Sequence, residues 1–257
     1  MNFALTPPRA FAYWNEKEVG EGIRLSGVPR QEIFLTTKLD NNWHKRVEEG
    51  IKTSLKDLNV DYVDLYLMHW PHSTNPENGK HYDDWDFIKT WEELQRLTAS
   101  GRVRAIGVSN FGITNLEKLL NAPTTTIVPA VNQVELHPYY PTPKLVEYCK
   151  QKGIHVSGYS PLGGSNDSPL HQDATIQEVA KIYGKTLAQV LLAWGVQSGW
   201  SVLPKSVTES RIAENWNGLQ GWELEEEDIK KLGGIKERFK SCGDSWLDRR
   251  VFFGEDE

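Results

Sequence analysis

The hydrophobic pattern is sharpest at residues 61–71, DYVDLYLMHWP, where brief alternation gives way to Val63, Leu65, Tyr66, Leu67 and Met68 before Pro71 closes the run. An apolar run of this length ended by a breaker predicts a strand buried on both faces, with His69 at its C-terminal end. Upstream, Val19, Ile23 and Leu25 are spaced for one face of a short helix over residues 16–25, stopped by Ser26-Gly27-Val28-Pro29. Residues 32–39 (EIFLTTKL) read as a strand ending near Lys38, and Val47, Ile51, Leu55 and Leu58 mark an amphipathic helix from His44 to Leu58.

The pattern continues to the end of the chain. Residues 72–86 are polar and rich in turn formers, a long loop of the kind that is usually functional or mobile. Helices are predicted at Phe87–Leu97, Asn115–Leu120, Leu145–Lys152 with Gly153 as its cap, Ala174–Tyr183, Leu187–Val196, Thr208–Trp216 and Glu225–Ile235. Between them lie predicted strands at 105–111, 130–136, 155–162 and 201–206. Thr208 reads as the N-cap of its helix.

Strands and helices that take turns imply βαβ units, a parallel sheet and right-handed crossovers with the helices outside. Six successive strands then end in polar residues: Lys38, His69, Ser109-Asn110, Gln133, Tyr159-Ser160 and Lys205-Ser206. One such residue is an ordinary core polar group, and His69 alone reads as one. Six in succession predict a ligand mouth at the C-terminal face of a barrel. An open doubly wound sheet is the weaker alternative, since no G-x-G-x-x-G follows the first strand.

Composition narrows the function classes. The 257 residues are 39% hydrophobic and 25% charged, so a packed core is expected, in one large α/β domain or two small ones; with no linker in view the chain reads as a single domain over 1–257, with an atypical segment at 1–10 and a tail at 237–257. A net charge of -6 without a basic cluster argues against nucleic acid and anionic membranes. No stretch is apolar enough to span a bilayer, the first residues do not read as a signal peptide, and the two cysteines make no disulfide framework, so a cytoplasmic location is expected.

Seven ordered motifs now carry a family resemblance: AYWNEKEVG (12–20), IFLTTKL (33–39), DLYLMHWP (64–71), GVSNF (107–111), NQVELHP (132–138), GYSPLG (158–163) and LPKSVTESRIAEN (203–215). Together they resemble the aldo-keto reductases, from about Ala10 to about Glu227. The resemblance implies a (β/α)8 barrel of the TIM type, reduction of aldehydes or ketones, NADP(H) as cofactor, a small carbonyl or sugar-type substrate and a monomer.

By the same resemblance Tyr13, Lys38 and His69 are the catalytic tyrosine, lysine and histidine. The chemistry fits: a free phenol has a pKa of about 10, and an ammonium within roughly 4–6 Å lowers it. Ser109, Asn110 and Gln133 are implied to hold the nicotinamide carboxamide, Tyr159 to face the ring, and Ser160 and Leu162 to lie near the pyrophosphate. Lys205, Ser206 and Arg211 match the grip on the adenosine 2′-phosphate, and Glu214 and Asn215 match adenine contacts. A dianionic phosphate rewards two cations and a hydroxyl, which favours NADP(H) over NAD(H). No metal site is expected. Trp43, Trp70, Trp85, Trp246 and Phe252 are candidates for an apolar pocket wall.

The sequence departs from the family in two places. Trp14 stands where a glycine is usual, and Pro8 stands where an aspartate pairs with the lysine. Only MNFALTPPR precedes the matching region, so the resemblance lacks the first strand, first helix and most of the second strand, and an incomplete barrel with unpaired edges is expected. Self-association through those edges would then be possible. Three functions remain on this reading: an active reductase, a truncated and impaired reductase that keeps nucleotide binding, and a non-enzymatic scaffold. Retention of Tyr13, Lys38, His69 and the 2′-phosphate motif disfavours the scaffold.

Overall fold

The computed structural model of the protein describes residues 15–165 and 167–252. Pro8, Tyr13 and Trp14 lie outside the described residues. In chain order the main elements are α1 (Glu16–Ser26), β1 (Thr36–Leu39), α2 (Val47–Leu58), β2 (Val63–Met68), α3 (Phe87–Leu97), β3 (Val103–Ser109), α4 (Ile113–Leu120) and β4 (Val131–Glu135). There follow α5 (Pro143–Gln151), β5 (His155–Tyr159), α6 (Ala174–Tyr183), α7 (Leu187–Gln197), β6 (Ser201–Leu203), α8 (Glu209–Asn217) and α9 (Glu226–Gly233). The strands follow one another in sheet order β1-β2-β3-β4-β5-β6, the order that successive βαβ units produce. The chain divides into two compact units. One holds the residues up to Asn132, Lys144–His155 and those from Asp244 on; the other holds Gln133–Pro143 and Val156–Gly243.

In the first unit β1 and β2 run parallel with Thr37 level with Tyr66 and Lys38 level with Leu67. β2 and β3 run parallel with Leu67 level with Gly107. Every residue of β2 is buried, Asp64 included, as the nearly all-apolar run predicts. Gly107 is glycine because a Cβ there would come within 2.7 Å of Leu67 Cδ2 and 2.6 Å of the Val131 carbonyl oxygen. The core behind the strands is apolar, with Ile51, Trp91, Leu94 and Leu116 buried. At its edge Asp64, itself buried, gathers two arginines. Asp64 Oδ2 accepts from Leu35 N–H and from Arg30, and Oδ1 accepts from Arg104, each at 2.8 Å.

In the second unit β5 and β6 run parallel with Tyr159 level with Leu203. α7 is entered by a capping box between Thr186 and Gln189, a T-x-x-Q signature. Gly195 lies close to Val202 and Trp200. Trp194 donates to the Ile229 carbonyl at 3.2 Å and Tyr183 donates to Asp228 at 2.7 Å, fastening α9 to α6 and α7.

Several boundaries differ from the sequence reading. β1 starts at Thr36 instead of residue 32, because Arg30–Glu32 make a 3-10 turn and the Leu35 N–H goes to Asp64 rather than to a strand. β6 stops at Leu203 because Pro204 has no N–H to offer. Thr208 precedes α8 but its side chain caps nothing; its own N–H donates to Ser206 Oγ at 3.0 Å. The loop at 72–86 carries its own bonds, including an isolated antiparallel bridge between Thr74 and His81.

α1 differs most in substance. Its buried residues are Glu16 and Gly20, while Leu25, expected on the inner face, is exposed. Gly20 lies against the end of α2, where a Cβ would come within 2.3 Å of the Leu58 carbonyl oxygen. Alanine is favoured over glycine inside a helix by about 0.8–1 kcal/mol, but overpacking against fixed backbone costs about 1–3 kcal/mol. Gly20→Ala is therefore expected to lower stability, with a reduced urea midpoint; an unchanged or raised midpoint would show that α1 is free to shift.

Candidate active site

The first unit brings four of the sequence-predicted residues to one end of its strands. Because side chains alternate along a strand, Lys38, Leu67 and Gly107, which are level with one another, share a face. His69 and Ser109, two residues beyond Leu67 and Gly107, continue that face. The His69 N–H donates to the Leu39 carbonyl at 3.1 Å, which carries the pairing past the end of β2. Lys38, His69, Ser109 and Asn110 are all buried.

Asn110 joins two of these strand ends. Its backbone is left-handed, with φ 64°, a conformation asparagine tolerates better than most residues. Its amide nitrogen donates to the His69 carbonyl at 3.0 Å and to Ser109 Oγ at 3.3 Å. Asn132 supports the following residue, donating to the Phe111 carbonyl at 2.8 Å. This role of Asn132 carries no sequence signal beyond a polar residue in a buried strand.

Burial holds the pKa of His69 well below the usual imidazole value, and the Lys38 ammonium and then His44 push it the same way. The ring is therefore neutral at pH 7. A neutral imidazole beside a lysine can donate one hydrogen bond to a carbonyl oxygen without placing a second cation there. His44 is also buried, with Nδ1 at 3.0 Å from Ser73 Oγ. Burial, then the nearby His72 and His81, push its pKa down to about 3.

The apolar wall candidates separate. Trp70 is buried, and Trp246 and Phe252 meet it edge-on at 5.4 and 5.5 Å between ring centroids. The segment carrying them is fastened by Asp244, which accepts from the N–H groups of Val251 and Phe252. Asp248 accepts from His72 Nε2 at 2.7 Å and from the His81 N–H at 3.0 Å. Trp43 instead lies beneath the Arg46 guanidinium at 4.4 Å, and Trp85 donates to Thr90 Oγ1 at 3.0 Å.

The second unit holds Gln133, Tyr159, Ser160, Leu162, Lys205, Ser206, Arg211, Glu214 and Asn215. Gln133 is buried in β4, and Tyr159 ends β5 half-buried. The chain then coils tightly: Ser160, Gly163 and Gly164 have φ of 50°, 82° and 85°. Gly163 N–H donates to the Ser160 carbonyl at 2.9 Å, and His171 donates to the Leu162 carbonyl at 3.1 Å. Glu135, unremarked in the sequence, is buried and accepts from His137, from the N–H and hydroxyl of Ser241, and from the Cys242 N–H.

Lys205 emerges two residues beyond Leu203, at the same strand ends as Tyr159. Arg211, Glu214 and Asn215 share one face of α8 by their i, i+3, i+4 spacing. Lys205 and Arg211 are exposed, and among the described residues neither makes an ion pair. Two uncommitted cations with the Ser206 hydroxyl form a donor set suited to a phosphate dianion.

Residues 10–237 match the model of the Aldo/keto reductase family. The chain belongs to the aldo/keto reductase family. It is 42% identical to an aldehyde reductase of Saccharomyces cerevisiae over 88% of this chain and 77% of that one. It is 44% identical to the glycerol 2-dehydrogenase (NADP(+)) of the same yeast, over the same shares. To the D-galacturonate reductase of Hypocrea jecorina it is 40% identical, over 96% of this chain and 83% of that one. The solved aldose reductase of Schistosoma japonicum superposes with a TM-score of 0.87 and 32% identity, over 96% of this chain and 85% of that one. This aldo/keto reductase is thus an oxidoreductase with an α/β fold of the TIM-barrel type, its described residues supplying a six-stranded sheet. No helix among its described residues is long and apolar enough to cross a membrane.

The buried histidines give this aldo/keto reductase a pH dependence of known sign. A histidine whose folded pKa lies below its unfolded value of about 6.5 stabilises the fold above that pH. The contribution is lost as pH falls from about 6.5 toward the folded value, about 3 for His44. Within that window each such group lowers stability by about 1.4 kcal/mol per pH unit. Urea unfolding of His44→Gln at pH 7 and pH 5 is expected to show a loss on acidification smaller by about 2 kcal/mol than in the unmutated chain. Equal losses would show that His44 protonates in the folded state.

Proposed function

We propose that this chain is an NADP(H)-dependent reductase of aldehydes or ketones, with Tyr13 as proton donor. The observation that carries the reading is the neutral His69 buried beside Lys38 and level with Ser109 at one end of the strands. It is supported by the uncommitted Lys205 and Arg211 and by the reductase relatives.

The cofactor would supply hydride to the carbonyl carbon. Lys38 would lower the pKa of the Tyr13 phenol by favouring the phenolate. Tyr13 would give its proton to the carbonyl oxygen as negative charge develops there, completing the alcohol. His69, neutral, would donate a hydrogen bond to the same oxygen and so orient the carbonyl. Ser109, Asn110 and Gln133 would hold the carboxamide, and Tyr159 would face the ring. Ser160 and Leu162 would lie by the pyrophosphate. Lys205, Ser206 and Arg211 would hold the 2′-phosphate, with Glu214 and Asn215 at the adenine. The relatives acting on glycerol and galacturonate favour a small polyhydroxylated substrate or aldehyde.

Two measurements test this. In a fluorescence titration NADPH is expected to bind more tightly than NADH, and Arg211→Ala to weaken NADPH at least tenfold, about 1.4 kcal/mol, with little effect on NADH. Equal affinities in the unmutated chain would refute the 2′-phosphate assignment. Tyr13→Phe is expected to abolish reduction of DL-glyceraldehyde while leaving NADPH affinity unchanged; retained turnover would remove Tyr13 from the reaction.

A further inference from the structure

Glu135 has no part in the proposed chemistry, yet it is only 1% exposed. It stands two residues beyond Gln133 on β4, so the two side chains share a face. Its carboxylate meets donors on both oxygens. Oε1 accepts from His137 Nε2 at 2.9 Å and from the N–H and hydroxyl of Ser241 at 2.7 and 2.8 Å, and Oε2 accepts from the Cys242 N–H at 2.9 Å. Burial raises its pKa, but the His137 and Ser241 bonds outweigh burial and hold it below the ordinary carboxylate value. A buried carboxylate is costly unless its lone pairs are satisfied, so Glu135 favours the state in which residues 241 and 242 are docked on it. Two further bonds lay the same stretch along the residues after β4. The Phe239 N–H donates to the Tyr139 carbonyl at 3.2 Å, and Lys240 Nζ donates to the Tyr140 hydroxyl at 2.6 Å.

The docked stretch touches the loop that follows β5. Gly164 lies against Ser241, where a Cβ would come within 3.0 Å of Ser241 Cβ and Oγ. At the start of the loop the Tyr159 carbonyl accepts from the N–H of Leu136, the neighbour of Glu135, at 3.2 Å. Gly163 faces the loop's own continuation at Ser168 and Leu170. Ser160 has φ 50°, a conformation that a residue other than glycine keeps only when its surroundings hold it. The loop is thus held at one end by β4 and at Gly164 by the stretch that Glu135 anchors.

We infer that Glu135 is a positioning residue for the dinucleotide: by anchoring Ser241 it keeps residues 239–242 against Gly164 and holds the coil at 160–164 in the shape that receives the pyrophosphate. The inference rests on the proposed place of Ser160 and Leu162 by the pyrophosphate. A loop that is already ordered spares binding the cost of ordering it. The pyrophosphate is common to NADPH and NADH, so loosening the anchor is expected to weaken both alike. Loss of Arg211, which bears on the 2′-phosphate, would weaken NADPH alone.

The test uses the full chain. Hydrogen exchange of the cofactor-free protein, followed by NMR, reads the amides of Gly163, Gly164 and Ser165 against those of α7. Stopped-flow fluorescence reads the dissociation of NADPH and of NADH. Glu135→Gln keeps the size but turns an NH2 group toward one of the donors, and Ser241→Ala removes one hydroxyl. Glu135→Gln is expected to speed both the loop exchange and the release of both nucleotides about tenfold, and Ser241→Ala about threefold. Exchange in α7 and the ratio of NADPH to NADH release rates are expected to stay in place. Unchanged exchange at 163–165 in both variants would overturn the inference and spare the pyrophosphate reading. Faster loop exchange with unchanged release of both nucleotides would overturn the placement of Ser160 and Leu162, and the inference with it. Exchange that speeds equally in α7 would show a merely structural role and overturn the inference too. Should Glu135→Gln fail to fold, Ser241→Ala decides alone.

Discussion

Asp64 lies within the first three strands and holds Leu35, Arg30 and Arg104 on its two oxygens. Strand pairing has a period of two, so a slip of one residue turns every side chain to the opposite face. Such a slip would send Lys38 toward the helices and bring Thr37 in its place. Asp64 makes that slip costly, because a buried carboxylate left without its cations is strongly destabilising. The residues proposed to do chemistry stand at one end of the strands, and the charge that keeps them level stands at the other.

The two units handle charge differently. In the first, the ionisable groups of interest are buried and their protonation is set by exclusion of water: His69 and His44 are held neutral, and Glu16 is pushed toward its neutral form. In the second, Lys205 and Arg211 are exposed to solvent. The contrast matches the proposed tasks. A proton to be delivered to one atom needs a fixed, dry surrounding. A phosphate to be captured from water is served by exposed cations that act over a Debye length.

Legibility in the sequence followed the range of the interactions. α3 and α6 fall on the residues that periodicity marks, because Asp86 and Asp173 cap them from the preceding position. β2 was legible because burial on both faces leaves a run that is apolar from Leu65 to Met68. The family motifs brought Lys38, His69, Ser109 and Asn110 into view, and the register puts them at one end of the strands. What was hidden is long-range and polar. Asp64 reads as an interruption in an apolar strand, and its partners are 29 to 40 residues away. Leu25 reads as a buried helix residue, because a helical wheel counts apolar side chains and cannot see that a glycine sets the contact line. The 3-10 turn at Arg30–Glu32 has no periodic signature, so β1 was drawn too long.

The segment from Asp244 to Phe252 is held by carboxylates and a backbone carbonyl rather than by a helix or strand of its own. Asp248 ties it to His72 and His81, and Asn115 donates to the Val251 carbonyl at 2.8 Å. Its rings rest on Trp70, the neighbour of His69. The wall beside His69 therefore stands on a few polar side chains, and replacing Asp244 or Asp248 would loosen it without disturbing a helix or strand.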